Sequence, residues 1–527
     1  MLISSFFIYN SSIIYLVIPI IFFFFGWLRW EVGLLLSALL LISVYVFYKK
    51  VKNKSICNEL FRLSKEHFIA FIILFLFLLS TGNTGFIGCW STDIPWRNAI
   101  YQDLIRQSWP VIYDYSNSML CYYMVFWLVP AEITSLLHLS EFGSNIVLFL
   151  WMYAGLILIF FLLCDILKPQ KDYIILVTVL FCLFSGINTV GMILKSFFFD
   201  PTPLITDYPS RESWSFSDYN IRGSDLFLII RSFYLCLADV YNQFFAIAIS
   251  SLLFLKLRNN TEFYAFIGLL ILPYSPIGFL GFFAVAVIEF IVNIFKTDGI
   301  KQKYLFFTKS LSVSNICASI SILPIFYFYF FMNTHASALL VSGYSEGSSY
   351  LSIPVNKFGF AHVVLLFFYY YLYFLIYARL IYDSFKNDSL FWALLLCLIV
   401  FPFFKIGKGG DFNFNATICP YILLFVFIVK HLLNKFHVNN FKIKDLILVS
   451  CLSIAMLTPI TQIATSFRGA YLNGSISYRD VALNYAWSSD LLKDSFRDKD
   501  INSLENFLVR DYKNKVFYAY FARKQVK

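Results

Sequence analysis

The chain is dominated by apolar runs of about 20 residues that are separated by short polar connectors. A run of this length crosses the bilayer core as a helix, because a helix pairs nearly all of its backbone groups within the segment. The pattern predicts an all-α polytopic membrane protein with about thirteen transmembrane helices. The predicted segments lie near residues 10–28, 31–48, 67–84, 144–167, 173–195, 241–257, 262–279, 280–295, 311–332, 358–382, 389–404, 417–436 and 446–464.

The composition limits the kinds of molecule that the protein is expected to bind. The sequence is 59% hydrophobic and 14% charged, with a formal net charge of +10. A nucleic-acid partner would need a clustered basic face, whereas Lys and Arg here fall mostly in short connectors, so we expect a lipid bilayer and no nucleic acid. The ten cysteines are scattered without metal-ligand spacing. We expect no metal site and no cofactor, and the sequence leaves dependence on a divalent cation open.

The positive connectors set the predicted orientation, since Lys and Arg concentrate in cytoplasmic loops. All of them face the cytoplasm if residues 118–138 form a helix in the membrane interface instead of crossing. The N-terminus is then inside and the C-terminus outside. The predicted outward stretches are about 85–143, 196–240, 333–357, 405–416 and the tail from 465.

These outward stretches hold most of the candidate chemistry. A charge beside a bilayer costs several kcal/mol (roughly 2.5–3.5 on insertion scales) unless it is solvated, paired or used. Asp93 lies between two tryptophans near a predicted span end, and Asp411 lies between two predicted helices with lysines nearby. For both acids the competing interpretation is a buried ion pair that orients the loops.

Several stretches carry a family resemblance. They are residues 93–100 with 109–111, Tyr241-Asn242-Gln243, residues 407–420 and residues 516–524. Together with the order of a helix, an outward loop with an early Asp, interfacial helices and a helix ending in basic residues, they resemble the GT-C class of integral membrane glycosyltransferases. Two positions depart from its pattern, since Phe244 stands where a His is expected and Asn415 where a basic residue is usual.

The resemblance covers about residues 65–527 and implies a division of the chain. Residues 1–65 would hold two extra N-terminal transmembrane helices and a connector. Residues 66–464 would form a GT-C-like transmembrane domain, with the long outward loops 85–143 and 196–240. Residues 465–527 would be a small extracytoplasmic region.

The resemblance also implies an activity. It is an inverting glycosyltransferase that moves a sugar from polyprenyl phosphate to an O-antigen or similar envelope glycan, at the periplasmic face of a bacterial inner membrane. Asp93 would be the general base, and other residues would orient the substrates: Asp103, Gln243 and Asp411. The leaving lipid phosphate needs cations, for which the candidates are Arg97, Arg106, Arg222, Arg231, Lys405 and Lys408.

Two alternatives stay open from the sequence. An O-antigen polymerase also has many spans and lipid-linked substrates, and it would place essential arginines in one or two late loops. A flippase or transporter would place charges within its spans and contain internal repeats. Few charges lie within the predicted spans and no repeat is clear, which disfavours the transporter.

Overall fold

The computed structural model of the chain describes residues 2–52, 60–84, 94–114, 117–187, 230–333, 360–404, 411–438, 440–472 and 507–524. In chain order, the helices are α1 Ser5–Trp27, α2 Trp30–Lys52, α3 Lys65–Ser80, α4 Ile94–Arg106, α5 Val125–Leu136, α6 Glu141–Leu167, α7 Ile174–Cys182, α8 Phe233–Leu257, α9 Tyr264–Leu269, α10 Pro276–Lys296, α11 Ile300–Ser310, α12 Val313–Phe331, α13 Phe360–Phe385, α14 Ser389–Val400, α15 Asp411–Ala416, α16 Ile418–Val438, α17 Ile443–Ala455 and α18 Leu457–Leu472.

The protein is an all-α, multi-pass membrane protein, as the apolar pattern predicts. Among the described residues, eight helical stretches are long and apolar enough to cross a membrane. They are α1, α2, α6, α8, α10, α12 and the two stretches Phe412–Val438 and Ile443–Phe467. The predicted number of about thirteen spans is not confirmed.

One difference from the predicted spans has a local cause. The sequence pattern predicts two spans at 262–279 and 280–295, whereas the structure has the short helix α9 followed by a single long helix, α10. Pro276 is the first residue of α10, where proline fits because its missing N–H has no helical partner. Ser275 caps that helix by accepting a hydrogen bond from the amide of Gly278. The helix break before Pro276 therefore falls inside the predicted span 262–279. The helix that replaces the predicted span 280–295 begins at residue 276.

Serine caps begin several of the long helices. A serine oxygen just before a helix accepts a hydrogen bond from one of its first, otherwise unpaired, amides, which is worth about 1 kcal/mol. This arrangement starts α1, α6, α8, α10 and α12, whose capping residues are Ser4, Ser140, Ser232, Ser275 and Ser312. The small polar residues between apolar runs thus mark where helices begin.

The segment 118–138, predicted as an interfacial helix, is a short strand followed by α5. This helix has 12 residues, so at 1.5 Å per residue it extends about 18 Å, well short of a bilayer core. Its first two turns are fully packed in the protein, with Val125 to Ala131 all buried. It lies against α1, α4 and α6. The helix is too short to cross, and it packs mainly on its protein neighbours.

One end of the bundle gathers the basic connectors. Lys256 pairs with Asp165, which also accepts hydrogen bonds from Ser5 and Tyr9. Three further pairs join other helix ends there: Lys50–Glu262, Arg258–Asp388 and Lys444–Asp383. We call this the basic end. The start of α1 and the ends of α2, α6 and α8 therefore lie at the same end of the bundle.

The opposite end, which we call the loop end, is closed by the last described segment of the chain. Strand β5, Leu508–Arg510, is the edge of a small antiparallel sheet with β3, Ile112–Tyr113, and β4, Ser118–Leu120. A second, two-stranded sheet lies at the basic end, where β1, Leu2–Ser4, pairs with β2, Leu60–Arg62. After β5 the chain reaches the turn between α1 and α2, where the amide of Arg523 donates to the carbonyl of Trp27 at 2.8 Å. The end of the chain is therefore packed into the bundle.

The basic end and the loop end allow a test of how the protein is oriented in the membrane. We expect a cysteine at Asn514, which is exposed at the loop end, to react with a membrane-impermeant maleimide in intact cells. A cysteine at Lys301, exposed at the basic end, should react only after permeabilisation, because connectors rich in Lys and Arg concentrate on the cytoplasmic side of membranes. Mass-shift labelling of the two single-site variants reads the result, with the unmodified chain correcting for native cysteines. The reverse pattern would overturn the predicted orientation.

A second test concerns the packed tail. Val509 is completely buried in β5, so Val509→Asp places a carboxylate inside the packed protein. We expect it to lower the thermal midpoint of the detergent-solubilised protein strongly, because an unpaired buried charge costs several kcal/mol. Lys513→Asp, which introduces the same side chain at an exposed position of the same segment, is the matched control. Equal midpoints for the two variants would show that the tail does not stabilise the bundle.

Candidate functional site

The candidate residues divide into those that the structure describes and those that it does not. Four positions lie outside the described residues: Asp93, Arg222, Lys405 and Lys408. For Asp411 the backbone is described as the first residue of α15, but the side chain is not. The described candidates, namely Arg97, Asp103, Arg106, Arg231 and Gln243, all lie on or beside α4 and the first half of α8.

Helix α8 is bent at the level of the candidate site. Val240 has φ −133° and ψ 36°, which breaks the helical backbone after two turns. The next residue, Tyr241, is buried, and its hydroxyl accepts a hydrogen bond from Trp127 Nε1 at 2.9 Å. The bend is therefore fixed to α5, which in turn packs on α4.

Arg97 is the deepest of the described cations. It lies in the first turn of α4, directly after the stretch that contains Asp93, and only 5% of it is exposed. It lies close enough to Tyr241 of α8 for its charge to act on the tyrosine hydroxyl. A guanidinium held in such a low-dielectric place interacts more strongly with a nearby anion than it would in water. Arg97 thus places positive charge near Tyr241, at the bend of α8.

Asp103 is a buried acid two turns further along α4. Its carboxylate accepts hydrogen bonds from the hydroxyl of Tyr113 at 2.6 Å and from Gln107 Nε2 at 3.1 Å. Burial raises the pKa of Asp103 to about 6, although these two hydrogen bonds and the charge of Arg106 pull the pKa down. Both carboxylate oxygens already have protein partners, so Asp103 holds β3 against α4. Its predicted role in orienting a substrate is open.

Arg106 is the last residue of α4 and forms an ion pair. Its Nη2 lies 2.5 Å from Glu141 Oε1 in the first turn of α6. The arginine side chain is 44% exposed, and an exposed pair of this kind contributes about 0–1 kcal/mol. To bind a donor phosphate, Arg106 would have to leave Glu141 or bind with it in place, which the weak pair permits.

Arg231, just before α8, contacts the short helix α15. Its Nη1 lies 3.6 Å from Asp239 Oδ2, and its guanidinium carbon lies 4.4 Å from the ring centroid of Phe414 in α15. Stacking of an arginine on an aromatic face is worth about 0.5–2 kcal/mol, depending on exposure. The structure therefore brings Arg231 beside the helix that begins with Asp411.

Gln243 has a role in helix packing. Its Oε1 accepts a hydrogen bond from the hydroxyl of Ser275 at 2.6 Å, and Ser275 caps α10. Because Gln243 is only 3% exposed, this contact ties the middle of α8 to the start of α10 inside the bundle. A substrate would have to displace Ser275 to use this oxygen atom.

Sequence reasoning missed the partners of these residues. Gln107 follows Asp103 by four positions, so the helical i, i+4 spacing could have revealed that contact. No spacing rule points to Tyr113 for Asp103, to Glu141 for Arg106 or to Trp127 for Tyr241. Within the part of the chain that the structure describes, no group of three His, Cys, Asp or Glu side chains is placed to hold a metal ion.

The structure also assembles a Ser-His-Asp chain that the sequence does not reveal. Ser384 Oγ lies 2.8 Å from His431 Nδ1, and His431 Nε2 lies 2.8 Å from Asp445 Oδ1. It lies towards the basic end, away from the other candidates. Ser384 is inside α13, whose amides are engaged in helical hydrogen bonds and so offer no oxyanion site beside the hydroxyl. We interpret it as a link between α13, α16 and α17.

Comparison with known proteins adds no assignment. No protein-family model matches the chain, and no curated protein matches it. The function must be argued from the residues and contacts described above.

The raised pKa of Asp103 predicts a pH-dependent stability. An unfolded Asp titrates near 4, whereas Asp103 in the folded protein titrates at about 6. Between these values the folded state binds more protons than the unfolded state, so the free energy of unfolding should fall as pH rises from about 4 to about 6. Thermal midpoints measured across this range should show the fall in the unmodified protein.

Two variants test whether Asp103 is the group that causes this pH dependence of stability. Asp103→Asn should lose this part of the pH dependence, because the amide cannot ionise. Asp114→Asn, which changes an exposed acid a few residues away, should keep it. An unchanged slope in Asp103→Asn would contradict the assignment to Asp103.

Proposed function

We propose that the chain is an inverting glycosyltransferase of the GT-C type, located in a bacterial inner membrane. It transfers one sugar from polyprenyl phosphate to a lipid-linked or envelope glycan at the periplasmic face, where we place the loop end. The observation that carries the proposal is the buried Arg97 in the first turn of α4, four residues after Asp93 and beside the bend of α8.

This arrangement supports a displacement at the anomeric carbon. Asp93 takes the proton of an acceptor hydroxyl as that oxygen forms a bond to the anomeric carbon. The bond from that carbon to the phosphate oxygen breaks at the same time, and polyprenyl phosphate leaves with the bonding electrons. A single displacement of this kind inverts the configuration of the sugar.

The cations of α4 and α8 would stabilise the departing phosphate. Arg97 is favoured among the described candidates because its burial increases the strength of its interaction with an anion. Arg231 is less buried than Arg97 and contacts Asp239 and Phe414, so a phosphate would share it with these two groups. Arg106 is more exposed and paired with Glu141, so we assign it a secondary part.

The layout of the loop end also supports this class. Helix α3 leads into a segment that is followed by the short helices α4 and α5, and α6 then returns towards the basic end. Two short helices between two longer ones at one end of a bundle give a lipid-linked donor and a polar acceptor a common meeting place. The apolar helices alongside would hold the isoprenoid chain.

The decisive variant is Asp93→Asn. We expect it to reduce sugar transfer by about 10²–10⁴-fold, the usual contribution of a positioned general base. Because Asp93 directly precedes α4, loss of a helix cap would be a competing explanation for lower activity in a variant at this position. Asn caps a helix as well as Asp does, so this substitution removes the base without removing a cap.

The measurement is complementation of a deletion strain, followed by mass spectrometry of its lipid-linked glycans. The unmodified gene and Asp114→Asn should restore the complete glycan, whereas Asp93→Asn should leave glycans that lack one sugar. Complete glycans in the Asp93→Asn strain would refute the proposal. Accumulation of single complete repeat units would indicate a polymerase, and trapping of complete lipid-linked glycans on the cytoplasmic face would indicate a flippase.

A further inference from the structure

A cavity of about 770 Å³ opens at the loop end, and neither Arg97 nor Tyr241 lines it. It lies between the last turns of α1, the end of α4, the second half of α5 and the final described residues of the chain. None of the residues that we assign to sugar transfer lines it. It therefore requires its own explanation.

One wall of the cavity is apolar and belongs to a candidate membrane span. Ile21, Phe22 and Phe25 of α1 line it, and Phe25 is 47% exposed on the surface of that helix. Trp109 adds a further apolar surface, since its indole N–H is occupied by the carbonyl of Leu104 at 2.8 Å. The wall thus continues from the surface of the span into the cavity.

The close approach of Trp109 to α1 shapes this wall. At Gly26 a Cβ atom would lie 2.5 Å from Trp109 Cε3, so only a glycine lets the indole ring approach the helix this closely. The ring of Trp109 also lies 5.3 Å from that of Trp27. The apolar wall is therefore built from fitted groups and is part of the packed structure.

The other wall carries two opposite charges. Arg523 and Glu132 both line the cavity, yet neither forms an ion pair or a side-chain hydrogen bond with any described residue. They are thus more than 4 Å from each other across the same space. The neighbouring Lys524 is already engaged, because its Nζ donates to the carbonyl of Tyr518 at 2.8 Å and lies over that ring.

We propose that this cavity binds a phospholipid with a phosphoethanolamine headgroup. The phosphate accepts hydrogen bonds from Arg523, the ammonium group donates to Glu132, and the acyl chains run along Phe22 and Phe25. A zwitterion matches two separated, opposite charges, whereas a purely anionic headgroup leaves Glu132 unpaired beside it. Charge-assisted hydrogen bonds of this kind are roughly twice as strong as neutral ones.

The position of the cavity fits such a lipid. It lies at the end of a candidate span, the depth at which headgroups meet the hydrocarbon core. A choline headgroup carries no N–H and cannot donate to Glu132, so the geometry favours a primary amine. The inference does not depend on the proposed glycosyl transfer.

The test is native mass spectrometry of the full chain in detergent, titrated with dioleoyl lipids that have ethanolamine, choline or glycerol headgroups. We expect the ethanolamine lipid to bind about tenfold more tightly than the other two, the effect of about one charge-assisted hydrogen bond. Glu132→Gln should remove the preference for ethanolamine over glycerol. Arg523→Gln should weaken both of these lipids.

Matched controls remove the same charges elsewhere at the loop end. Glu31→Gln and Lys513→Gln change exposed residues outside the cavity and should bind like the unmodified chain. Equal affinity of the unmodified chain for the three lipids, an unchanged ethanolamine preference in Glu132→Gln, or an unchanged affinity in Arg523→Gln would overturn the proposal. Tighter binding of the glycerol lipid would also overturn it, since that result defines a purely anionic site.

Discussion

The bundle depends on the hydrogen bonds that the side chains of one buried helix make. Helix α8 is buried along nearly its whole length and yet carries Tyr241, Asn242 and Gln243 in sequence. An unpaired polar group in such surroundings costs a few kcal/mol, so each of them requires a partner. Trp127 donates a hydrogen bond to Tyr241, and Ser275 donates one to Gln243. The side-chain amide of Asn242 donates to the carbonyl of Tyr123, just before α5, at 3.5 Å. These contacts fix α5 and the start of α10, and α5 then positions α4 with its candidate residues.

Much of the fold could be predicted because apolar length is a local property. The predicted segment 144–167 corresponds to α6, Glu141–Leu167, and the segment 10–28 to α1, Ser5–Trp27. The prediction fails at residues 262–295, where Pro276 and its capping serine begin a helix inside an otherwise continuous apolar stretch. Hydrophobicity does not show such breaks, so the number of spans was less predictable than their existence.

The contacts of the candidate site were much harder to predict than the candidate residues. Asp103 and Arg106 became candidates through the family resemblance. Their partners Tyr113 and Glu141 lie 10 and 35 positions away, and only tertiary packing brings them close. The Ser384-His431-Asp445 chain shows the same principle, since it joins three separate helices. Spacing along a chain reveals contacts within a helix and gives little information about contacts between helices.

The sheet at the loop end has a consequence for the order of assembly. Asn117, in the turn before β4, and Asp511, just after β5, are bonded through their side chains although 394 positions separate them. Most helices of the bundle are synthesised before β5 exists, so β3 and β4 must keep an open edge during that time. An open edge is a place where another strand can pair wrongly. Pairing with β5 covers the open edge of β4, so this part of the loop end is completed only late in biosynthesis.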